Sequence, residues 1–173
     1  MEESTKPNKI TRGNAGQYFT AGELSKRDFI ASITLGNCPA TDILCSNLDA
    51  TKFVHIQVKT YVLGSTRVMV GKKSEINYGP NFFWILAGIP LADTDKDKDC
   101  EYYIIPSKVI SDTVKKNHKI WAEGTGKNGQ KRNGETSARI VFIGEKQAEK
   151  YYQDGFNFSE YKNAWGLIKD KLK

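Results

Sequence analysis

Asp42-Ile-Leu-Cys-Ser46 and Phe53-Val-His-Ile-Gln-Val-Lys-Thr-Tyr61 are the two runs whose reading decides the fold. A short polar turn, Leu48 to Lys52, separates them. Side chains alternate faces along a strand, so residues two apart share a face. A strand over 53–61 therefore projects Gln57 and Lys59 together, with His55 and Phe53 in line, and sends Val54, Ile56 and Val58 into a core. Two polar groups in so apolar a strand are costly unless they have partners or a job. Asp42, at the head of the preceding run, is the natural partner.

Working outward, Phe29 to Leu35 is rich in Ile, Thr and Ala and reads as a strand that joins the other two in an antiparallel meander. Upstream, Asn14 with Gln17 three positions later resembles a capping box, which predicts a helix from there to about Asp28. Ala15, Tyr18, Phe19 and Gly22 recur at helical spacing as its buried face, with Glu23 at the edge of that face. Gly16 and Gly22 would let this helix approach a sheet closely. Residues 1–13 mix charge, Pro and Gly and read as a flexible lead-in. Downstream, 64–80 reads mostly as loop, and Asn81 to Ile89 as a central strand buried on both faces. Tyr102 to Ile105 is a further strand, followed by a helix from Pro106 to about Asn117. Ala138 to Ile143 is a last strand, and Gly144 to Tyr152 and Glu160 to Leu172 are terminal helices.

Composition bounds the function. At 173 residues, with 39% apolar and 27% charged, the chain suits one globular domain. No apolar run approaches the roughly 20 residues of a membrane helix, and the first residues lack a signal-peptide core. Three cysteines without CxxC spacing argue for reduced thiols in the cytoplasm over a disulfide scaffold or a zinc site. A net charge of +6 permits a polyanionic partner. Two tempting motifs fail. An EF-hand loop opening at Asp93 wants Gly and Glu where Lys98 and Ile104 stand. The G-x-G-x-x-G of Gly124 to Gly129 is followed by a basic, turn-rich segment and no helix, so a flexible basic loop over Lys127 to Arg132 is expected.

Glu23, Asp42, Gln57 and Lys59 together suit metal-assisted phosphodiester hydrolysis. That chemistry needs hard oxygen ligands for Mg²⁺ and a positive group near the attacking water or the phosphate. Asp42 and Glu23 offer carboxylates, Gln57 an amide oxygen, and Lys59 the charge. In this order — an acid on the first helix, Asp at a strand start, then x-x-K on the next strand — the chain resembles the PD-(D/E)XK nuclease superfamily, which includes restriction-type endonucleases and Holliday-junction resolvases. The runs Gly16-Gln-Tyr-Phe-Thr-Ala-Gly-Glu-Leu24, Thr41-Asp-Ile-Leu44 and Ile56-Gln-Val-Lys-Thr60 look especially like its Q-x-K variants, including group I intron homing endonucleases. Pro39 does not directly precede Asp42, and Gln57 stands where the family has an acid, which removes one negative charge from the site.

The resemblance covers residues 14–117 and implies an α/β restriction endonuclease-like αβββαβ core, a mixed sheet flanked by helices, within a single domain over 14–173 with a C-terminal helical extension. It implies a Mg²⁺-dependent DNA endonuclease, with Mn²⁺ as a substitute, Asp42, Gln57 and Glu23 as metal ligands and Lys59 completing the catalytic set. Lys72, Lys73, Lys127, Lys131 and Arg132, on basic loops, are expected to grip the DNA backbone. Cutting both strands of a duplex would favour a homodimer. The alternative on the same fold is a catalytically inactive DNA-binding or protein-interaction module.

Overall fold

The computed structural model describes residues 8–35, 38–144, 151–152 and 157–173. A helix, α1 (Lys9–Ser25), precedes the strands β1 (Ile30–Ile33), β2 (Ile43–Ser46) and β3 (Phe53–Val62). A short strand β4 (Arg67–Met69) and a 3₁₀ turn (Lys72–Glu75) lead into β5 (Phe82–Ile89) and β6 (Glu101–Pro106). Helix α2 (Ser107–Glu123), strand β7 (Ile140–Phe142), a second 3₁₀ turn (Ser159–Tyr161) and helix α3 (Gly166–Leu172) complete the order. The main sheet runs β1-β2-β3-β5-β6, with β3 and β5 parallel and every other pair antiparallel. The β1-β2-β3 meander and the fully buried central strand are as expected, and β4 pairs with β7 in a separate ribbon.

Alternation along the strands divides the core into two layers. Val54, Ile56 and Val58 of β3 and Phe83, Ile85 and Ala87 of β5 pack with Leu24 of α1 and Ile168 and Leu172 of α3. Tyr61 of β3 and Trp84 and Leu86 of β5 pack instead with Ile110 and Val114 of α2 and Val68 and Val141 of the ribbon. Both faces of the sheet are thus covered. The odd-numbered residues of β3 pass from exposed Phe53 and His55, through Gln57 and Lys59, to buried Tyr61. The polar pair therefore sits at the margin where the α2-side layer begins.

Three sequence expectations for α1 need correction. The helix starts at Lys9, not beside Asn14: Asn8 is the cap, its side-chain oxygen accepting the N–H groups of Ile10 at 2.8 Å and Thr11 at 3.3 Å. Residues 9–13 accordingly belong to the helix and not to a lead-in. The buried stripe is Gly16, Thr20 and Leu24, while Tyr18 and Phe19 are 67% and 52% exposed. The reason is close approach through small residues. A Cβ on Gly16 would lie 1.9 Å from Thr60 Oγ1, so the helix seats on β3 at a point where a side chain has no room. Gly22, by contrast, has open space around it.

This contact makes a prediction. Gly16→Ala is expected to destabilise the fold by about 1–3 kcal/mol, the usual cost of overpacking, although Ala is the better helix former by about 1 kcal/mol. Urea unfolding of the variant, and of the variant combined with Thr60→Ala, would check it. Partial recovery in the double variant is expected, and an unchanged single variant would contradict the close seating.

Elsewhere the chain from β3 to β5 crosses by β4 and a 3₁₀ turn, where 64–80 was expected to be mostly loop. Helix α2 runs to Glu123, past the expected end near Asn117. Asp95 is used internally, accepting the N–H of Leu91 at 3.2 Å and pairing with Lys98 at 2.6 Å. The stretch Lys127 to Arg132, expected as a flexible basic loop, is closed by a bridge between Thr125 and Lys131 and by Gly126 N–H to Gln130 C=O at 2.7 Å. Most of the helix expected over 144–152 lies outside the described residues.

Candidate active site

The register of β2 on β3 sets Ile43 opposite Ile56. One step further, where Asp42 N–H donates to Ile56 C=O at 2.8 Å, Asp42 falls opposite Gln57 on the face away from α1. Asp42 Oδ2 accepts the backbone N–H of Val58 at 2.7 Å and the side-chain amide N–H of Gln57. Lys59, next along that face, is half-buried with its ammonium 5.8 Å from the centre of the Trp84 ring. The strand pairing and the Trp84 platform thus bring together three of the four expected residues, Asp42, Gln57 and Lys59.

Glu23 is not brought to them. It sits on α1, the helix covering the opposite face, and is paired with Arg27 at 2.5 Å and Lys26 at 3.6 Å. Arg27 in turn lies over the Trp165 ring at 4.5 Å, which ties this pair to the α1–α3 layer. The spacing rule that made Glu23 attractive assumed Ala15, Tyr18 and Phe19 faced the sheet; the Gly16-Thr20-Leu24 stripe rotates the helix away from that arrangement.

Of the expected phosphate contacts, Lys73 comes near the centre. Ser111 of α2 donates to Glu75 C=O at 2.7 Å, and Ser107 Oγ accepts Tyr78 N–H at 2.9 Å, so α2 holds the 72–78 segment against the sheet. Lys73 then donates to Pro39 C=O at 2.7 Å, and its charge acts on Lys59. Lys72, Lys127 and Lys131 are exposed and Arg132 packs over Trp121 at 5.3 Å. His55, in line with Gln57 on β3, meets Thr41 Oγ1 through Nδ1 at 3.2 Å, bracing the residue before Asp42. A buried Arg139 pairs with Glu75 at 2.5 Å behind the Lys73 turn. That pair has no spacing signal, because it joins segments brought together only by folding.

Electrostatics follow from the half-burial. Burial raises the Asp42 carboxyl above the ordinary range, only partly offset by the Val58 N–H, Lys59 and Gln57. Burial lowers the Lys59 ammonium; Asp42 opposes this and Lys73 adds to it. Two charges of opposite sign are thus each held where ionisation is strained, a pattern common at reactive sites.

The donor set fits a hard divalent cation. Gln57 Oε1 and Asp42 Oδ1 accept no hydrogen bond from the described residues and lie on adjacent side chains. Among the described residues no group of three or more His, Cys, Asp or Glu gathers. One carboxylate and one amide oxygen would leave most of an octahedral shell to water and phosphate, the usual Mg²⁺ arrangement.

By sequence, no protein-family model matches the chain, and no curated protein matches it. By structure, it is similar to the bacterial homing endonuclease I-Ssp6803I, with a TM-score of 0.52 at 16% identity over 95% of this chain and 94% of that one. The chain has the restriction endonuclease-like fold. A looser likeness, TM-score 0.42, is to the Holliday junction resolvase Hjc of Archaeoglobus fulgidus, at 15% identity over 86% of this chain and 93% of that one. Within this restriction endonuclease-like chain, the β2–β3 pair carries the polar cluster, and no helix among the described residues is long and apolar enough to cross a membrane.

Its geometry makes one pH prediction. A divalent ion must displace any proton on Asp42, and the raised carboxyl holds that proton more tightly than an ordinary Asp near 3.9. Mg²⁺ or Mn²⁺ affinity is therefore expected to fall with decreasing pH, beginning above the ordinary carboxylate range. Stability takes the opposite sign: the folded chain binds this proton more tightly, so the group's contribution is present at low pH and is lost as pH rises through the raised value. Calorimetric titration across pH, with Asp42→Asn as control, would check the first statement.

Proposed function

We propose that this protein is a Mg²⁺-dependent DNA endonuclease of the PD-(D/E)XK type, with Mn²⁺ as a substitute cation. The single observation that carries the reading is the Asp42–Gln57–Lys59 cluster on paired strands, half-buried beside Trp84. The fold shared with a homing endonuclease supports it.

Asp42 and Gln57 would hold the cation, which when bound supplies Lewis acidity at the phosphate. Val58 N–H fixes one Asp42 oxygen, and Gln57 is oriented by its amide N–H donating to that same oxygen. This leaves Asp42 Oδ1 and Gln57 Oε1 as the ligand atoms. Lys59 orients the attacking water and offsets charge developing on the phosphate. Its lowered affinity for a proton lets it accept a hydrogen bond from water when neutral or donate one when charged. Lys73 adds a second positive group on the approach, and exposed Lys72, Lys127 and Lys131 contribute salt-sensitive backbone attraction.

One feature favours the second reading, an inactive DNA-binding module: the cluster has a single carboxylate where Glu23 was expected to add another. The test is incubation of supercoiled and linear DNA with protein plus Mg²⁺ or Mn²⁺, against a chelator control. Metal-dependent breaks support the endonuclease; DNA binding that weakens with salt, without breaks in either cation, supports the module.

A further inference from the structure

A second site lies away from the Asp42 cluster, in a cleft of about 360 Å³ between the C-terminal half of α2, the β4–β7 ribbon and the segment after α2. Its size falls within the range of small-molecule pockets. Two aromatic stacks line it. His118 stacks on Trp121 at 5.5 Å, and Phe142 on Tyr151 at 3.9 Å with only 8° between the ring planes. Trp121 and Tyr151 are nevertheless 40% and 43% exposed, an unusual outlay of aromatic surface for residues that have packing partners. His118 is fixed by its Nε2–H donating to Gly134 C=O at 2.8 Å, and Arg132 is fixed by donating to Trp121 C=O at 2.8 Å while its guanidinium covers the indole. The site is thus built in advance of any ligand.

Among the described residues, Arg67, Arg132 and the Glu75-paired Arg139 line the cleft and no carboxylate does. A ligand matching these features has a flat aromatic body and an anionic group, and a nucleotide combines both. Stacking faces are offered by a base only when it has left the double helix, because in a duplex both faces are covered by neighbours. The cleft borders the layer that packs on the same face of the sheet as Gln57 and Lys59.

We propose that this cleft binds a single unpaired nucleobase and its phosphate, from a DNA end, a single strand or an extruded base. The proposal rests on the reading of DNA as the partner.

The test uses the whole chain with chelator present, so that cleavage plays no part, and an oligonucleotide carrying one 2-aminopurine in a single-stranded overhang beside a duplex. Anisotropy of a distant dye reports DNA binding, and 2-aminopurine fluorescence reports stacking of the unpaired base. Saturable quenching is expected on binding, with affinity for the overhang at least about fivefold weaker in Trp121→Ala and Tyr151→Ala, the lower end for one stacked base. Trp121→Phe keeps a stacking face and is expected to stay within about twofold of wild type. Anisotropy change without quenching, or quenching and affinity indifferent to both Ala variants, would overturn the pocket while leaving DNA binding intact. Quenching that depends on Trp121, in a protein that never cuts DNA, would keep the pocket and remove the endonuclease. Absence of any anisotropy change with either end of the probe would overturn both.

Discussion

Lys59→Ala is expected to lower the cleavage rate by roughly 10³-fold, the scale seen when one preorganised charge or donor is removed from a transition state. The side chain is half-buried between the Trp84 ring and Asp42, so no neighbouring lysine can take its place without moving into the strand. Lys73, which shares the region, is tied to Pro39 C=O. DNA binding should survive, since attraction to the backbone is spread over several exposed lysines. Asp42→Asn should lose activity by a different route. It retains an oxygen for the Val58 N–H but removes the carboxylate charge, so divalent-ion affinity should fall together with rate. Single-turnover cleavage and calorimetry on both variants, with a thermal melt to confirm folding, separate the two. Lys59→Arg sharpens the test: an arginine stays charged at all accessible pH, so activity retained there favours charge stabilisation over proton transfer. Wild-type rates in both Lys59→Ala and Asp42→Asn would remove this cluster from catalysis.

Arg139→Ala is expected to cost about 3–5 kcal/mol of stability, the range for removing one member of a buried ion pair. Arg139 is 4% exposed, pairs with Glu75 at 2.5 Å, and also donates to Thr136 C=O at 2.5 Å and Ala138 C=O at 2.9 Å. Its loss strands the Glu75 carboxylate, which is itself only 22% exposed, and opens the wall shared by the 3₁₀ turn and the β4–β7 ribbon. Links across the same junction, Val70 N–H to Arg139 C=O at 2.8 Å and the Ser111 hydroxyl to Glu75 C=O at 2.7 Å, make the damage local to the side that carries Lys73. Glu75→Gln, which keeps a hydrogen-bond acceptor but no charge, should cost less. Urea unfolding of the three proteins would show the order; equal stability of wild type and Arg139→Ala would mean that the pair contributes nothing net.

The residues that were legible share one property: their neighbours are set by local periodicity. In β3 the period of two places Gln57 and Lys59 on one face, and the short turn back to β2 leaves Asp42 opposite Gln57. The continuous apolar run Asn81 to Ile89 predicts a strand covered on both sides, and β5 (Phe82–Ile89) is buried at every position. On α1 the same kind of reasoning fails, because the aromatic residues at helical spacing are not the buried face. Tyr18 and Phe19 face outward because Gly16 seats the helix against Thr60, with Thr20 and Leu24 buried on the same stripe.

What the sequence by itself determined was the meander, the central strand and the Asp42–Gln57–Lys59 set, because strand alternation and tight turns fix side-chain placement over short distances. Only the tertiary structure decided the rotation of α1, and with it the separation of Glu23 from the cluster, since helix orientation is chosen by the best packing against a sheet formed later in the chain. It alone also placed Lys73 beside Lys59, buried Arg139 against Glu75 and closed the Trp121 cleft. None of those contacts is set by strand alternation or a tight turn, and their geometry exists only after α2 and the ribbon have docked on the sheet.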